Sequence, residues 1–149
     1  MATSTTVSVW RSNGGDQTRT SYAGSMLMAA SFYIADASVA TATNVKTSSA
    51  ASAPNLILPA GAVVTSVIIN DAGAGSVDLG TRGYNSGTVS GAAIANNLSV
   101  AALGNVTAGL TNTATSELAY VTVTIDTGGS GTVGGYITYF VADNGQQSA

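Results

Sequence analysis

Apolar and polar positions alternate in short runs along most of this chain, and clusters of Gly, Asn, Asp and Ser separate the runs. A period of two is that of half-buried strands, and these punctuating residues favour turns. The densest passage is Asn55–Asn70. Leu56–Leu58 is a short apolar run, Pro59-Ala60-Gly61 a turn signal, and Ala62–Ile69 is rich in β-branched residues, so the passage predicts strand, corner, strand. Val63, Val67 and Ile69 fall on one side of the second strand and Val64 and Ile68 on the other, with Thr65 and Ser66 the polar exceptions. A strand apolar on both faces belongs in the interior of a sheet.

The remaining elements are placed around that strand. Ser25–Ile34 fits helix or strand by pattern, and Phe32-Tyr33-Ile34 tips it to strand. Val39–Ser49 reads as a strand or edge, with Lys46 as a charge against stray pairing, followed by a Ser/Ala linker over Ser48–Pro54. After a turn at Asp71–Ser76, Val77–Thr81 is expected to complete a hairpin with the organising strand. Arg82–Ser90 reads as a Gly-rich loop carrying Tyr84. Ser90 can cap a short helix over Gly91–Leu103, in which Ile94, Leu98 and Ala102 recur four apart and Gly104 supplies the stop. Val106–Ala114 has no clear pattern. Ala119–Ile125 alternates cleanly, with Ala119, Val121, Val123 and Ile125 inward and Tyr120, Thr122 and Thr124 outward. Asp126–Gly131 is a turn and Val133–Val141 a last strand. Residues 1–22 form a polar arm or loop around Trp10, Arg11 and Arg19, 23–142 the folded domain, and 143–149 a polar tail. Six or more strands without βαβ alternation predict an all-β antiparallel sandwich with one short helix and an extended N-terminal arm.

Charged residues make up 7% of the 149 positions, against about 25% in an ordinary soluble domain. The surface is therefore built from Thr, Ser, Asn, Gly and Ala, which are cheaper to desolvate than Lys or Glu. Much of the 45% hydrophobic share is alanine, whose single methyl adds less than the roughly 1.5–3 kcal/mol of a buried Val, Leu or Ile. A thin core of this kind suits a protein stabilised further by subunit contacts. Four Lys and Arg in total are too few for a multi-phosphate footprint, so no nucleic-acid partner is expected. Met1–Gln17 lacks the basic start and apolar run of a secretory signal. Met26–Ile34 is well short of the roughly 20 residues that span a bilayer, so no membrane partner is expected either.

Little in the chain points to chemistry. The absence of His and Cys excludes Ser-His-Asp and Cys-His arrangements, imidazole or thiolate metal sites, and disulfides. Gly129-Ser130-Gly131-Thr132-Val133-Gly134 matches G-x-G-x-x-G, but a dinucleotide site needs a helix next, and Tyr136–Val141 reads as strand. The match is expected to be a hairpin turn. Asp71, Asp78, Glu117, Asp126 and Asp143 are carboxylates at turns or strand ends, and no spacing singles out a catalytic pair. Asp71 and Asp78 with turn carbonyls would suit a surface Ca²⁺, although turn-forming Asp is the commoner role. No catalysis, cofactor or metal is expected. Asn97-Leu98-Ser99 and Asn105-Val106-Thr107 match the glycosylation pattern but carry little without a secretion signal. Trp10, Tyr22, Tyr33, Tyr84, Tyr120, Tyr136 and Tyr139 would serve either a sugar-stacking face or, more commonly, a core or an interface.

The passage Leu56–Thr81, with Leu-x-Leu-Pro-Ala-Gly-Ala-Val-Val-Thr-Ser-Val-Ile-Ile and then Val-Asp-Leu-Gly-Thr, resembles the head decoration or cement proteins of tailed bacteriophages. The resemblance extends through the Ala-rich stretch Gly91–Leu103 and the closing strands Ala119–Ile125 and Gly134–Val141, about the C-terminal two thirds of the chain. It implies a β-sandwich or jelly-roll protein, often a homotrimer, on the outer surface of the capsid. There it would contact the major capsid protein and stabilise the head by bridging neighbouring subunits. Trp10, Arg11, Arg19, Arg82 and Tyr84 are the expected capsid or subunit contacts, because each is a cation or an aromatic on an arm or loop. Two other classes remain open: a tail or fibre-tip adhesion domain that binds host glycans through exposed aromatics, and a polysaccharide-degrading enzyme with two convergent carboxylates.

Overall fold

The computed structural model describes residues 27–142, which form nine β-strands. These are β1 (Met28–Ile34), β2 (Thr43–Asn44), β3 (Ile57–Leu58), β4 (Ala62–Asp71), β5 (Ser76–Gly83), β6 (Val89–Ser99), β7 (Gly104–Val106), β8 (Ala119–Ile125) and β9 (Val133–Val141). The first sheet runs β1-β9-β4-β7; in the second, β2 and β3 lie along one edge of β8, followed by β5 and β6. All pairings between these strands are antiparallel. Residues of both sheets belong to one core cluster that includes Val67 and Ile69 of β4, Ile137 of β9, Leu79 of β5 and Val121 of β8. The arm around Trp10, Arg11 and Arg19 and the tail at 143–149 lie outside the described residues.

The organising strand β4 is interior, between β9 and β7, as its apolar sequence predicts. Its two faces are grouped differently. Between Val64 and Ser66 the pairing with β9 skips one residue, a bulge at Thr65, and the side-chain phase changes there. Val64 thereby joins Val67 and Ile69 in the core cluster, Val63 does not, and Ile68 is left exposed on the outer face. Hydroxyls secure the bulge: Thr65 Oγ1 and Ser66 Oγ both contact Thr138 Oγ1 on β9.

Among the described residues there is no helix, and the stretch expected as one is β6. A spacing of four is also an even number, so Ile94 and Leu98 satisfy a strand's period as well as a helix's. The pairing of β6 with β5 decides between them. It tolerates two register shifts: one passes Asn97, which adopts φ +62°, and the other falls where the Ser90–Gly91 backbone crosses Gly80.

Two expected hairpins are instead crossings between sheets. β4 and β5 lie in different sheets, as do β8 and β9, so Asp71–Ser76 and the glycine-rich segment after Ile125 each carry the chain from one layer to the other. The crossings bond to each other, Ala74 N–H to the Ser130 carbonyl (3.0 Å) and Ser130 N–H to that of Ala74 (3.1 Å). Gly75 has φ +70°, and a Cβ there would lie 2.3 Å from the Gly128 backbone, so the approach requires glycine. The G-x-G-x-x-G match is thus part of a crossing, followed by strand β9.

Three local expectations also change. Only Thr43–Asn44 of the 39–49 stretch is strand; Val45 N–H donates to Val121 on the second sheet, while Lys46 exchanges backbone bonds with Tyr33 on the first. Lys46 therefore ties the layers together and guards no free edge. Arg82 lies within β5, so the loop between β5 and β6 is shorter than the pattern suggests. Thr122, expected to face water or a partner, is fully buried.

Candidate functional site

The feature that distinguishes the surface is a band across the outer face of the second sheet. Tyr120 of β8 pairs with Ile57 of β3 on one side and with Arg82 of β5 on the other, and Arg82 pairs with Val89 of β6. Register thus places Ile57, Tyr120, Arg82 and Val89 in one row across four strands. One step further along, Tyr84 N–H donates to the Leu118 carbonyl (2.8 Å), extending the β5–β8 ladder past the strand ends. Tyr84 stacks on Tyr120 with centroids 5.4 Å apart and ring planes tilted by 30°. The apolar members remain open to solvent: Tyr84 is 49% exposed, Val89 47%, Leu118 40% and Ile57 38%. Isolated exposed hydrophobes are ordinary; here five apolar or aromatic side chains lie across one sheet face, with Arg82 between Tyr120 and Val89.

The structure separates the two described members of the expected contact set. Tyr84 is free on its outer side. Arg82 is half-buried, and its Nη2 donates to the Ala42 carbonyl (2.9 Å) just before β2. That path runs diagonally across the outer face of β8 and ties the β2 edge to the sheet. Trp10, Arg11 and Arg19 lie outside the described residues. Ile57, Val89 and Leu118 escape a reading by sequence, because only strand register brings residues 57, 89 and 118 to one place.

The carboxylates are mostly engaged in local structure. Asp78 Oδ1 accepts from Asn97 N–H (2.8 Å) at the bulge of β6. Glu117 Oε2 accepts from Ser86 Oγ (2.6 Å) and so holds the β5–β6 turn. Asp126 Oδ2 accepts from Ser76 Oγ (3.2 Å) and Thr127 Oγ1 (3.3 Å). Asp36 accepts from the hydroxyl and N–H of Ser38; the hydroxyl first and the N–H second hold its pKa below the ordinary carboxylate value. Asp71 and Asp78 lie in different sheets, and no group of three or more potential metal-ligating carboxylates occurs among the described residues.

No protein-family model matches the chain, and neither curated proteins nor solved structures gave a match.

Proposed function

We propose that this chain is a structural virion protein, a capsid decoration or cement protein of jelly-roll-like sandwich architecture, which binds the outside of an icosahedral head as a homotrimer and bridges neighbouring major capsid protein subunits. The observation that carries the reading is the apolar band Ile57, Tyr84, Val89, Leu118 and Tyr120 on a sheet face whose charged groups, Arg82 and Asp78, are already bonded within the fold to the Ala42 carbonyl and the Asn97 N–H. Burying such a band against another protein releases apolar area without stranding charges. Aromatic anchors of this kind dominate many interfaces. The proposal assigns the chain no reaction.

The test is sedimentation of purified protein with heads stripped of decoration, followed by heating. Wild-type protein should co-sediment and raise the temperature at which the heads rupture. Tyr84→Ala combined with Val89→Asp should weaken binding about 30-fold, the equivalent of about 2 kcal/mol at an interface anchor. Arg11→Ala with Arg19→Ala tests the arm separately and should lower occupancy. Failure of the wild-type protein to bind heads, or full binding by the Tyr84/Val89 variant with its fold intact, would overturn the reading.

A further inference from the structure

The outer face of the other sheet carries a groove of different character. Its floor is Gly134 of β9, which pairs with Tyr33 on β1 and Asp71 on β4; in the next outward-facing row, Tyr136 pairs with Ser31 and Ile68. The groove is open, encloses about 360 Å³ and is lined mainly by Ser31, Tyr33, Asn70, Asp71, Gly134 and Tyr136. Tyr136 is 44% exposed. Among the described residues, neither the Asp71 carboxylate nor the Asn70 amide takes part in a side-chain hydrogen bond, unlike the carboxylates of Asp36, Asp78, Glu117 and Asp126.

The two glycines of this strand differ in what requires them. A Cβ at Gly135 would lie 1.8 Å from the Ile68 carbonyl oxygen, so the fold forbids one. A Cβ at Gly134 would meet nothing nearer than Asp71 Cβ at 3.6 Å and Asn70 Oδ1 at 3.7 Å, ordinary contact distances, and its φ is not in the left-handed region. Folding therefore does not demand glycine at 134. Gly134 is buried, and a methyl there would project towards the Asp71 and Asn70 side chains that flank the groove.

We propose that this groove binds a neutral saccharide, a hexose unit of a larger glycan. The apolar C–H face of a pyranose packs on the Tyr136 ring, its hydroxyls donate to the Asp71 carboxylate and exchange hydrogen bonds with the Asn70 amide, and Gly134 leaves those two side chains room to lie beside the sugar. Among the described residues Asp71 is the one charge in the lining, and the chain's net charge is −3, so anionic sugars and phosphates are disfavoured. The groove and the apolar band occupy the outer faces of different sheets, so capsid contact and saccharide binding are separable.

The test uses the full chain on an array of neutral glucose-, galactose- and mannose-containing oligosaccharides with their sialylated counterparts, and a titration of the best neutral probe. Neutral probes should bind, and Tyr136→Ala, Asp71→Asn and Gly134→Ala should each weaken binding at least about tenfold while leaving the melting transition in place. Tyr84→Ala, on the other sheet, should bind the probe as wild type does. Absence of binding at millimolar saccharide, a preference for sialylated probes, or affinity unchanged by both Tyr136→Ala and Gly134→Ala would overturn the proposal, whatever the outcome with stripped heads.

Discussion

Thr122 sits mid-way along β8, fully buried, and its hydroxyl has no hydrogen-bond partner among the described residues. Asn44, its cross-strand neighbour on β2, has a buried Oδ1 in the same condition. A buried polar group left unsatisfied is costly, whereas an apolar group of the same shape is not. Thr122→Val should therefore leave stability unchanged or raise it by about 1 kcal/mol, seen as an unchanged or higher urea midpoint; a clear loss would mean that the hydroxyl is bonded in solution. Asp36 offers the opposite case, an exposed carboxylate with its partners in place. Because its folded pKa is lowered below the ordinary 3.8, the stability it adds is present above that value and is lost as pH falls through the folded one. Ser38→Ala removes the larger cause and leaves the backbone N–H, so it should raise the Asp36 titration, followed by carboxyl-carbon NMR, part of the way towards the ordinary value. The stability difference between Ser38→Ala and wild type should then shrink as the pH is taken down through the two titrations.

Among the elements, the sequence is most informative where alternation is uninterrupted. Ala119–Ile125 and Val133–Val141 read directly as β8 and β9, because apolar residues recur at every second position, although Thr122 on the opposite face of β8 is buried too. Bulges remove that legibility. Thr65 shifts the phase of β4, and nothing local distinguishes it from Ser66. In β6, register shifts break the alternation into short pieces, and an Ala-rich composition with Ile94 and Leu98 four apart then resembles a helix. Sheet pairing also fixes where glycine is obligatory, which gives a direct test on one strand. Gly135→Ala drives a methyl into the Ile68 carbonyl and should cost about 1–3 kcal/mol or more, whereas Gly134→Ala, one residue away, should melt within a degree or two of wild type. Equal effects of the two substitutions would mean that the β4–β9 register differs from the one described.

Across the whole molecule, the all-β class and the two-sheet arrangement follow from turn spacing, but the connections do not. Consecutive strands joined by a short turn suggest hairpins, yet β4–β5 and β8–β9 cross between layers, and each of these strands pairs with at least one strand distant in the chain. The surface band is illegible for the same reason. Tyr84 stands out alone as an aromatic beside a glycine; Val89 reaches the band through the short β5–β6 connection, but Ile57 and Leu118 do so only through pairings that span more than thirty residues. The band also sets how binding should respond to salt. Both cations of the described residues are spent within the fold, Arg82 on the Ala42 carbonyl and Lys46 Nζ on that of Ala53 (3.3 Å). Attachment through the band is then driven by apolar burial, which salt does not screen and which sulfate strengthens. The affinity for stripped heads should change by less than about threefold between 50 and 500 mM NaCl and should rise in ammonium sulfate. A charge-dominated contact would instead lose affinity steeply over that range, and a loss of tenfold or more would move the anchor from the band to Arg11 and Arg19 on the N-terminal arm.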